Sequence, residues 1–106
     1  MPYVVVLITV ASEREANKIV RKLLSAKLIA CANIVKGVRS IFWWKGNIES
    51  SNEFLVLMKT HSKLINDIIK VTKKLHSYEV PEIIVLPIET GYSPYLRWIK
   101  SSIRKV

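Results

Sequence analysis

Polar side chains of several chemical types cluster in one short stretch of the sequence, just before a hydrophobic run. His76, Tyr78, Glu79 and Glu82 lie around Pro81 and precede or begin the segment EIIVLPI. An imidazole beside carboxylates can bind a divalent metal ion or act as an acid–base pair. The same residues are typical of a helix end that turns into a strand, because proline stops a helix. The sequence leaves these three interpretations open.

His76 is the strongest candidate for a metal ligand, because neutral imidazole binds copper, zinc and nickel. Glu79 and Glu82 could add oxygen ligands, and a neighbouring subunit could add more. A structural zinc site needs about four ligands, so one histidine predicts only weak binding of Cu²⁺ or another divalent cation. The alternative is that His76 contacts the last carbonyl groups of a helix.

Cys31 is the only cysteine and lies between small residues in the segment ACAN. As a thiolate it could join a Cu(I) or zinc site, and as a buried thiol it would act as a small hydrophobic side chain. One cysteine cannot form a disulfide within the chain, which is typical of a reducing compartment. The first residues, MPYVVVLITV, predict a strand and not a signal peptide. We therefore predict a cytoplasmic protein.

Glu53 and Lys59 lie on one predicted strand at an even separation, so their side chains share a face of the sheet. If both are buried, they have to neutralise each other. They predict either a salt bridge at a subunit interface or a pocket between subunits for a small anion or a metal complex. Tyr92 and Tyr95 could line a cleft beside the segment ETGYSP, where the glycine permits a tight turn.

Hydrophobic periodicity predicts the elements that position these residues. Residues 4–10 form a buried strand, and a capping box from Ser12 to Glu15 begins a helix that ends near Lys27. The later elements are a long hairpin with its tip at Gly46 and Asn47, a helix from Ser62, a strand from Glu82 to Ile88 and a short helix that begins at Pro94 after the cap Ser93. This β-α-β-β-α-β order with a final helix predicts an α+β, ferredoxin-like fold with a four-stranded antiparallel sheet. The length suits a single domain over residues 1–106.

The strands predict association with other copies of the chain. The segments VVVLI, FLVLM and IIVL are apolar at successive positions, so both faces of the sheet need cover. Phe42, Trp43 and Trp44 also form an aromatic ribbon near the hairpin tip, which favours pairing with another subunit. We expect these aromatic side chains and Trp98 to pack at an interface.

Four segments of the sequence resemble the CutA family of divalent-cation tolerance proteins. They occur in family order and are LIACANI, SIFWWKGNIE, NEFLVLMKT and HSYEVPEIIVLPIETGYSPYLRWI. The resemblance implies a ferredoxin-like fold in a tight homotrimer, cytoplasmic in prokaryotes and linked to tolerance of copper and other divalent ions. Ile8 and Leu75 stand where some members have a cysteine and a second histidine, and Ser77 replaces the usual proline. The resemblance therefore implies weak copper binding.

The same residues also bear on other functions. The family's architecture is similar to that of trimeric nitrogen-regulatory signalling proteins, so sensing of a small molecule is an alternative. An enzyme is not predicted, because nothing supplies a nucleophile or a closed metal set. The net charge of +9 favours anionic partners. However, the third strand carries Leu, Val and Met where an RNA-recognition sheet needs aromatic rings, so specific nucleic-acid binding is not expected. No apolar run is long enough to span a membrane.

Overall fold

The computed structural model describes residues 2–106, which form four strands and three helices. In chain order they are β1 (Tyr3–Val10), α1 (Glu13–Ser25), β2 (Cys31–Trp44), β3 (Asn47–His61), α2 (Ile65–Leu75), β4 (Ile83–Pro87) and α3 (Ser93–Ser102). A short 3₁₀ turn at Ser62–Leu64 leads into α2. The predicted order of strands and helices is confirmed. No helix among residues 2–106 has the length and apolar character that crossing a membrane requires.

The four strands form one antiparallel sheet in the order β2-β3-β1-β4. In the centre of the sheet, Val6 of β1 pairs with Met58 of β3 and with Val85 of β4. Val6 and Met58 have no exposed surface, because the face they share packs against α1 and α2. That layer of sheet and helices contains the hydrophobic core.

Helix α1 begins as predicted but completes only half of the expected capping box. The Ser12 hydroxyl accepts a hydrogen bond from the backbone N–H of Glu15 at 3.1 Å. The Glu15 carboxylate does not return to the cap; it lies beside His76 and Ser77, which follow α2. The helix buries Ile19 and Leu23 against the sheet. The side chain expected to close the cap therefore links the first helix to the end of the second.

The hairpin of β2 and β3 is the longest feature of the molecule, with strands of 14 and 15 residues. Its tip lies one residue earlier than predicted, at Lys45 and Gly46, whose φ angles are 50° and 83°. Positive φ at both central residues is typical of the type I′ turns that join antiparallel strands. A second irregularity occurs between Val35 and Val38, where Gly37 has a φ of 76° and the register shifts. Bulges of this kind bend and twist a strand.

The second face of the sheet is apolar but is not covered by a helix layer. The register places Leu7 of β1, Leu57 of β3 and Ile84 of β4 side by side on this face. Ile84 and its neighbour Leu86 are 46% and 48% exposed. We call this surface, defined by Leu7, Leu57, Ile84, Leu86 and Val35, the open face.

Helix α3 packs against the end of the sheet where β2 begins and β3 ends. It begins with Ser93 as its first residue, one position before the predicted start, and Tyr92 precedes it. Leu96 and Ile99 are buried in the core. Beyond the helix, the Arg104 backbone N–H donates to the Lys27 carbonyl at 2.8 Å. The C-terminal segment therefore ties α3 to the end of α1.

Candidate functional site

His76 is the centre of a buried polar network at the end of α2. It follows the last residue of the helix, and its backbone N–H donates to the Thr72 carbonyl at 2.9 Å. The Nε2 atom of its ring lies 2.7 Å from the carbonyl oxygen of Thr9 in β1. The Nδ1 atom accepts from the backbone N–H of Tyr78 at 3.1 Å. The helix-end interpretation of His76 therefore matches its backbone position, while its ring binds a strand and a loop.

These contacts fix the tautomer of His76. A nitrogen that accepts from a backbone N–H must carry the lone pair, so Nδ1 is unprotonated and Nε2 donates its proton to Thr9. The Glu15 carboxylate is 3.3 Å from Nδ1 and would accept a hydrogen bond from it in a ring protonated at both nitrogens. Both ring nitrogens already have protein partners, so neither is free to bind a metal ion in this conformation.

Glu53 is the second buried ionisable residue near this end of the sheet. It is only 6% exposed, and its Oε2 accepts a hydrogen bond of 2.6 Å from the Tyr78 hydroxyl. Burial and this bond to a carboxylate raise the pKa of Tyr78 to about 12, because both disfavour the phenolate. Tyr78 thus joins the network of His76 through its backbone and the hairpin through its ring.

A cleft of about 820 Å³ lies between the hairpin and the loop that follows α2. The hairpin contributes Phe42, Trp43, Trp44, Glu49 and Glu53, and the loop contributes Tyr78, Glu79 and Glu82. The cleft forms because the hairpin extends beyond Val10, where β1 ends, while the loop packs beside that end. Phe42, Trp43 and Trp44, which the sequence predicts to lie in an interface, therefore line one wall of the cleft.

The carboxylates of this cleft do not converge on one point. No group of three or more His, Cys, Asp or Glu side chains suited to a metal ion occurs within residues 2–106. The predicted set of His76, Glu79, Glu82 and Cys31 is divided between the two ends of the sheet. Cys31 of β2 pairs with Lys59 of β3, and Lys59 in turn pairs with Val5 of β1. His76 contacts Thr9, which lies four residues, or roughly 13 Å, from Val5 along β1.

The other end of the sheet carries Cys31, Lys59 and Tyr95. The Sγ atom of Cys31 is 3.4 Å from the Tyr95 hydroxyl, and this contact together with burial raises the pKa of Tyr95 to about 12. The Tyr95 ring stacks on Trp98 at 5.5 Å between centroids. Lys59 donates to the Asn33 side chain. Cys31 is therefore half-buried next to a phenol and not sealed in the core.

Glu53 and Lys59 do not pair with each other in one chain. Glu53 bonds Tyr78 beyond the end of β1, whereas Lys59 bonds Asn33 next to the start of β1. Tyr92 is 77% exposed and precedes α3. The placement of Glu53, Lys59 and Tyr92 in a pocket between subunits stays a prediction.

Sequence reasoning missed three partners in these networks. Glu15 was assigned to a helix cap, Asn33 was not singled out, and the Thr9 carbonyl belongs to the backbone of a residue with no special role. Every residue has a main-chain carbonyl, so residue type does not indicate which carbonyl accepts a hydrogen bond. Only the position of Asn33 two residues after Cys31, on the same face of β2, could have indicated its contact with Lys59.

The topology defines an α+β protein of the ferredoxin-like kind with an enlarged central hairpin. The profile of the CutA1 divalent ion tolerance protein family matches residues 4–102. The chain belongs to this family.

Individual relatives agree with this assignment. The CutA 1 protein of rice is 38% identical over 99% of this chain and 59% of its own length. A structure of the divalent cation tolerance protein of Thermus thermophilus is 42% identical, with a TM-score of 0.93 over 95% of this chain and 98% of that one. The structure from Archaeoglobus fulgidus is 39% identical, with a TM-score of 0.92 over 94% and 97% of the two chains. The chain thus spans somewhat more than half of the plant relative but nearly all of the prokaryotic ones.

The prediction of a cytoplasmic location is wrong. The rice protein is named chloroplastic, and the Archaeoglobus protein is described as periplasmic. The prediction rested on the single cysteine, on first residues that predict a strand and not a signal peptide, and on the family resemblance. A chain with one cysteine lacks an internal disulfide in any compartment. Cysteine count therefore carried no information about location in this family.

Proposed function

We propose that this chain, as one domain over residues 1–106, forms a homotrimer that binds or senses ligands in the response to divalent metal ions, and that it is not an enzyme. Membership of the divalent ion tolerance family supports the link to metal ions. The open face carries the argument for assembly. Its apolar side chains, such as Ile84 and Leu86, are about half exposed, and exposed apolar patches on this scale mark interaction surfaces.

The edges of the hairpin support the same assembly. The pairing of β1 with β3 stops at Val10 and Phe54, so the backbone of β3 from Asn47 to Glu53 has a free edge on that side. Free edges of long strands are sites for pairing with another chain. Aromatic side chains at the tip, with Trp43 72% exposed, would add contact area. A neighbouring copy would satisfy this edge and cover the open face.

Divalent cations would bind weakly in this proposal. Copper prefers imidazole and thiolate, but both nitrogens of His76 have partners and Cys31 is distant from it. The exposed carboxylates of Glu79 and Glu82 are the ligands that remain, together with groups from a neighbouring subunit. One or two carboxylates hold a divalent ion poorly, so the ion would exchange rapidly.

Titration of the assembled protein with Cu²⁺ and Zn²⁺ tests whether divalent cations bind weakly through Glu79 and Glu82. The Glu79→Gln/Glu82→Gln double variant should lose most binding, while Cys31→Ser should retain it under reducing and non-reducing conditions. His76→Ala should also retain it, provided circular dichroism shows that the variant is folded. A selective loss of copper binding in folded His76→Ala would show that the imidazole leaves its partners to bind the metal.

Sensing of a small molecule is the second candidate, and the cleft is the observation that favours it. Its volume of about 820 Å³ is within the range of roughly 300 to 1,000 Å³ that is usual for ligand sites. A thermal-shift screen of the assembled protein against nucleotides, amino acids and amines would identify the class of ligand. Stabilisation only by divalent ions would exclude this second function.

A further inference from the structure

Positive charge is concentrated on the outward surface of α1 and α2. Four basic residues of α1 and three of α2 are exposed, and none of them forms a salt bridge within residues 2–106. They are Arg14, Lys18, Arg21, Lys22, Lys70, Lys73 and Lys74. We call this surface, defined by these seven residues, the basic face.

The acidic residues of the same two helices do not offset this charge. Glu15 lies beside His76 and is half-buried, and Asp67 bonds Arg104, which follows α3. Glu13, in the first turn of α1, is the third acidic residue of the two helices and balances one cation at most. The basic face therefore keeps an excess of positive charge.

Contacts at both ends place the two helices side by side and antiparallel. At one end, Glu15 in the first turn of α1 lies beside His76, which follows the last residue of α2. At the other end, Arg104 donates from its backbone N–H to the Lys27 carbonyl after α1 and from its guanidinium group to Asp67 in the first turn of α2. The basic residues therefore form two adjacent rows, about 8 to 10 Å apart as is usual for packed helices.

The cations within each row repel one another. Arg14, Lys18 and Lys22 follow each other at intervals of four residues on α1, and Lys70 and Lys74 have the same spacing on α2. Like charges at this spacing are neighbours on the helix surface and destabilise the helix slightly. An anionic partner that extends along both rows would relieve this repulsion.

The proposed assembly leaves the basic face accessible. Helices α1 and α2 cover one face of the sheet, whereas the proposed contacts between copies use the open face on the other side and the free edge of the hairpin. A partner can therefore reach the seven cations in the single chain and in the assembled protein.

The residue types of the two helices select among anionic partners. Neither helix contains an aromatic residue, so they offer no ring on which the bases of a single strand could stack. Helices that lie on membranes bury a free apolar face in the lipid. The apolar stripes of α1 and α2 already pack in the core, and Leu24, at 39%, is the most exposed apolar residue of the two helices. The basic face therefore favours a partner that offers charge and no apolar surface.

The width of the basic face determines how it can meet a nucleic-acid duplex. Two packed helices form a layer about 20 Å wide, which exceeds the major-groove width of about 12 Å. The layer cannot enter the groove, so it can contact only the phosphates beside it. The α1 row from Arg14 to Lys22 is about 12 Å long, and a duplex carries about seven phosphates over that length. The charge density of a duplex thus matches that of the basic face.

We propose that the basic face binds the phosphate backbone of a nucleic-acid duplex without reading its base sequence. The guanidinium and ammonium groups of the two rows contact phosphates, and the release of counterions from the duplex drives the association. Contacts to phosphates carry no sequence information, so specific recognition is still not expected. This activity goes beyond the response to divalent ions and does not depend on it, because Glu79 and Glu82 lie outside the basic face.

Fluorescence anisotropy of a labelled DNA duplex of about 20 base pairs tests the proposal on the assembled wild-type protein. We expect micromolar affinity at about 50 mM salt. The logarithm of the binding constant should fall with the logarithm of the salt concentration with a slope of about −3 to −6, because three to seven phosphate contacts contribute about −0.9 each. Duplexes rich in A·T and in G·C pairs should bind with affinities within about twofold of each other.

Two double variants with the same loss of charge locate the binding surface. Arg21→Gln/Lys70→Gln removes one cation from each row, so it should weaken binding at low salt by about tenfold or more and make the salt slope shallower by about 2. The matched control, Arg97→Gln/Lys100→Gln, removes one arginine and one lysine from exposed positions of α3. It should change the affinity by less than about threefold, because distant charges are screened. All four side chains are exposed, so both variants should fold normally, which circular dichroism checks.

The proposal is overturned if the duplex does not bind at about 50 mM salt, if the two double variants lose affinity equally, or if a single strand of the same length binds more tightly than the duplex. Tighter binding to vesicles of phosphatidylcholine and phosphatidylserine than to the duplex would also overturn it, because the basic face would then be a membrane-docking surface. Neither double variant changes Glu79 or Glu82, so the metal titrations above are independent of these results and the two proposals fail separately.

Discussion

The two faces of the sheet are built from the same residue types but lie in different surroundings. On the covered face, Val6, Val56 and Met58 have no exposed surface because α1 and α2 pack over them. On the open face, Ile84 and Leu86 of β4 remain about half exposed. An apolar side chain is stabilising only where other atoms exclude water from it. The covered face therefore supplies the stability of the chain, and we expect the open face to drive association.

The polar residues follow the same division. The His76 network joins α1, α2 and β1 at one end of the covered layer, and it leaves no ring nitrogen free. The cleft between the hairpin and the loop after α2, by contrast, lies where the hairpin leaves that layer, and none of its four carboxylates forms a salt bridge within residues 2–106. Buried polar groups whose hydrogen bonds are all satisfied make a fold rigid and specific, whereas exposed carboxylates can be solvated by water.

The largest expected effect comes from removing a core side chain on the covered face. Met58→Ala should lower the free energy of unfolding by about 2 to 5 kcal/mol, because it leaves a cavity in a fully buried site. Leu57→Ala, on the adjacent residue of the same strand but on the open face, is the matched comparison. Urea unfolding at several protein concentrations should show a smaller, concentration-dependent loss for Leu57→Ala. Equal, concentration-independent losses would remove the distinction between the faces.

A second expected loss concerns the polar end of the covered layer. His76→Ala leaves the Thr9 carbonyl and the Tyr78 N–H without their partner, so the free energy of unfolding should fall by about 1 to 3 kcal/mol. Lys74→Ala, an exposed neighbour on α2, should change it by less than about 0.5 kcal/mol. Chemical denaturation of both variants measures the difference. A His76 variant as stable as the Lys74 variant would show that the network is not structural.

A charge on the open face should affect assembly more than folding. Leu86→Lys places an ammonium group among the half-exposed apolar residues, so it should weaken association while changing the stability of the chain by less than about 1 kcal/mol. Leu24→Lys, at a residue of α1 that is 39% exposed, introduces the same charge on the helix layer. Sedimentation velocity should show smaller species for Leu86→Lys alone. Dissociation of both variants would point to general charge repulsion.

The smallest effect is a pH dependence at alkaline values. Tyr78 and Tyr95 have pKa values raised from 10.0 to about 12, so the folded state holds their protons more tightly than the unfolded state. Their contribution to stability is fully present below pH 10 and is lost as the pH rises to about 12. Both groups are partly exposed, which reduces the size of the effect.

Urea unfolding at pH 9 and pH 11 measures this slope, and the Tyr78→Phe/Tyr95→Phe double variant should reduce it. Tyr78→Phe alone and Tyr95→Phe alone should each remove only part of this slope. A slope that is the same in the double variant and in the wild type would mean that other groups cause the alkaline loss.

Sequence reasoning predicted the architecture because periodicity reports which face of a strand or helix is apolar. The continuous apolar run around Val56 and Met58 and the apolar stripe on α1 indicated the elements and their order. The hairpin tip was placed one residue late, because Gly46 was taken as the first turn residue when Lys45 also adopts positive φ. A lysine in that conformation has no marker in the sequence.

The site was less predictable, since its contacts join residues far apart in the chain. The sequence singled out His76, Tyr78 and Glu53 as polar residues of interest. It did not indicate that His76 binds the Thr9 carbonyl or that Tyr78 donates to Glu53. Which partner a buried polar group finds depends on how the loop after α2 packs beside β1. Residue types alone do not determine that packing.

The molar mass of the wild-type protein in solution is the most direct test of the account. Light scattering coupled to size-exclusion chromatography at micromolar concentration should give about three times the chain mass of 12.2 kDa. The exposed open face and the hairpin edge support association, and the number three is what the family resemblance implies. A trimer that Leu86→Lys dissociates and Leu24→Lys leaves intact would agree with the proposed role of the open face. A wild-type mass of a single chain would contradict it.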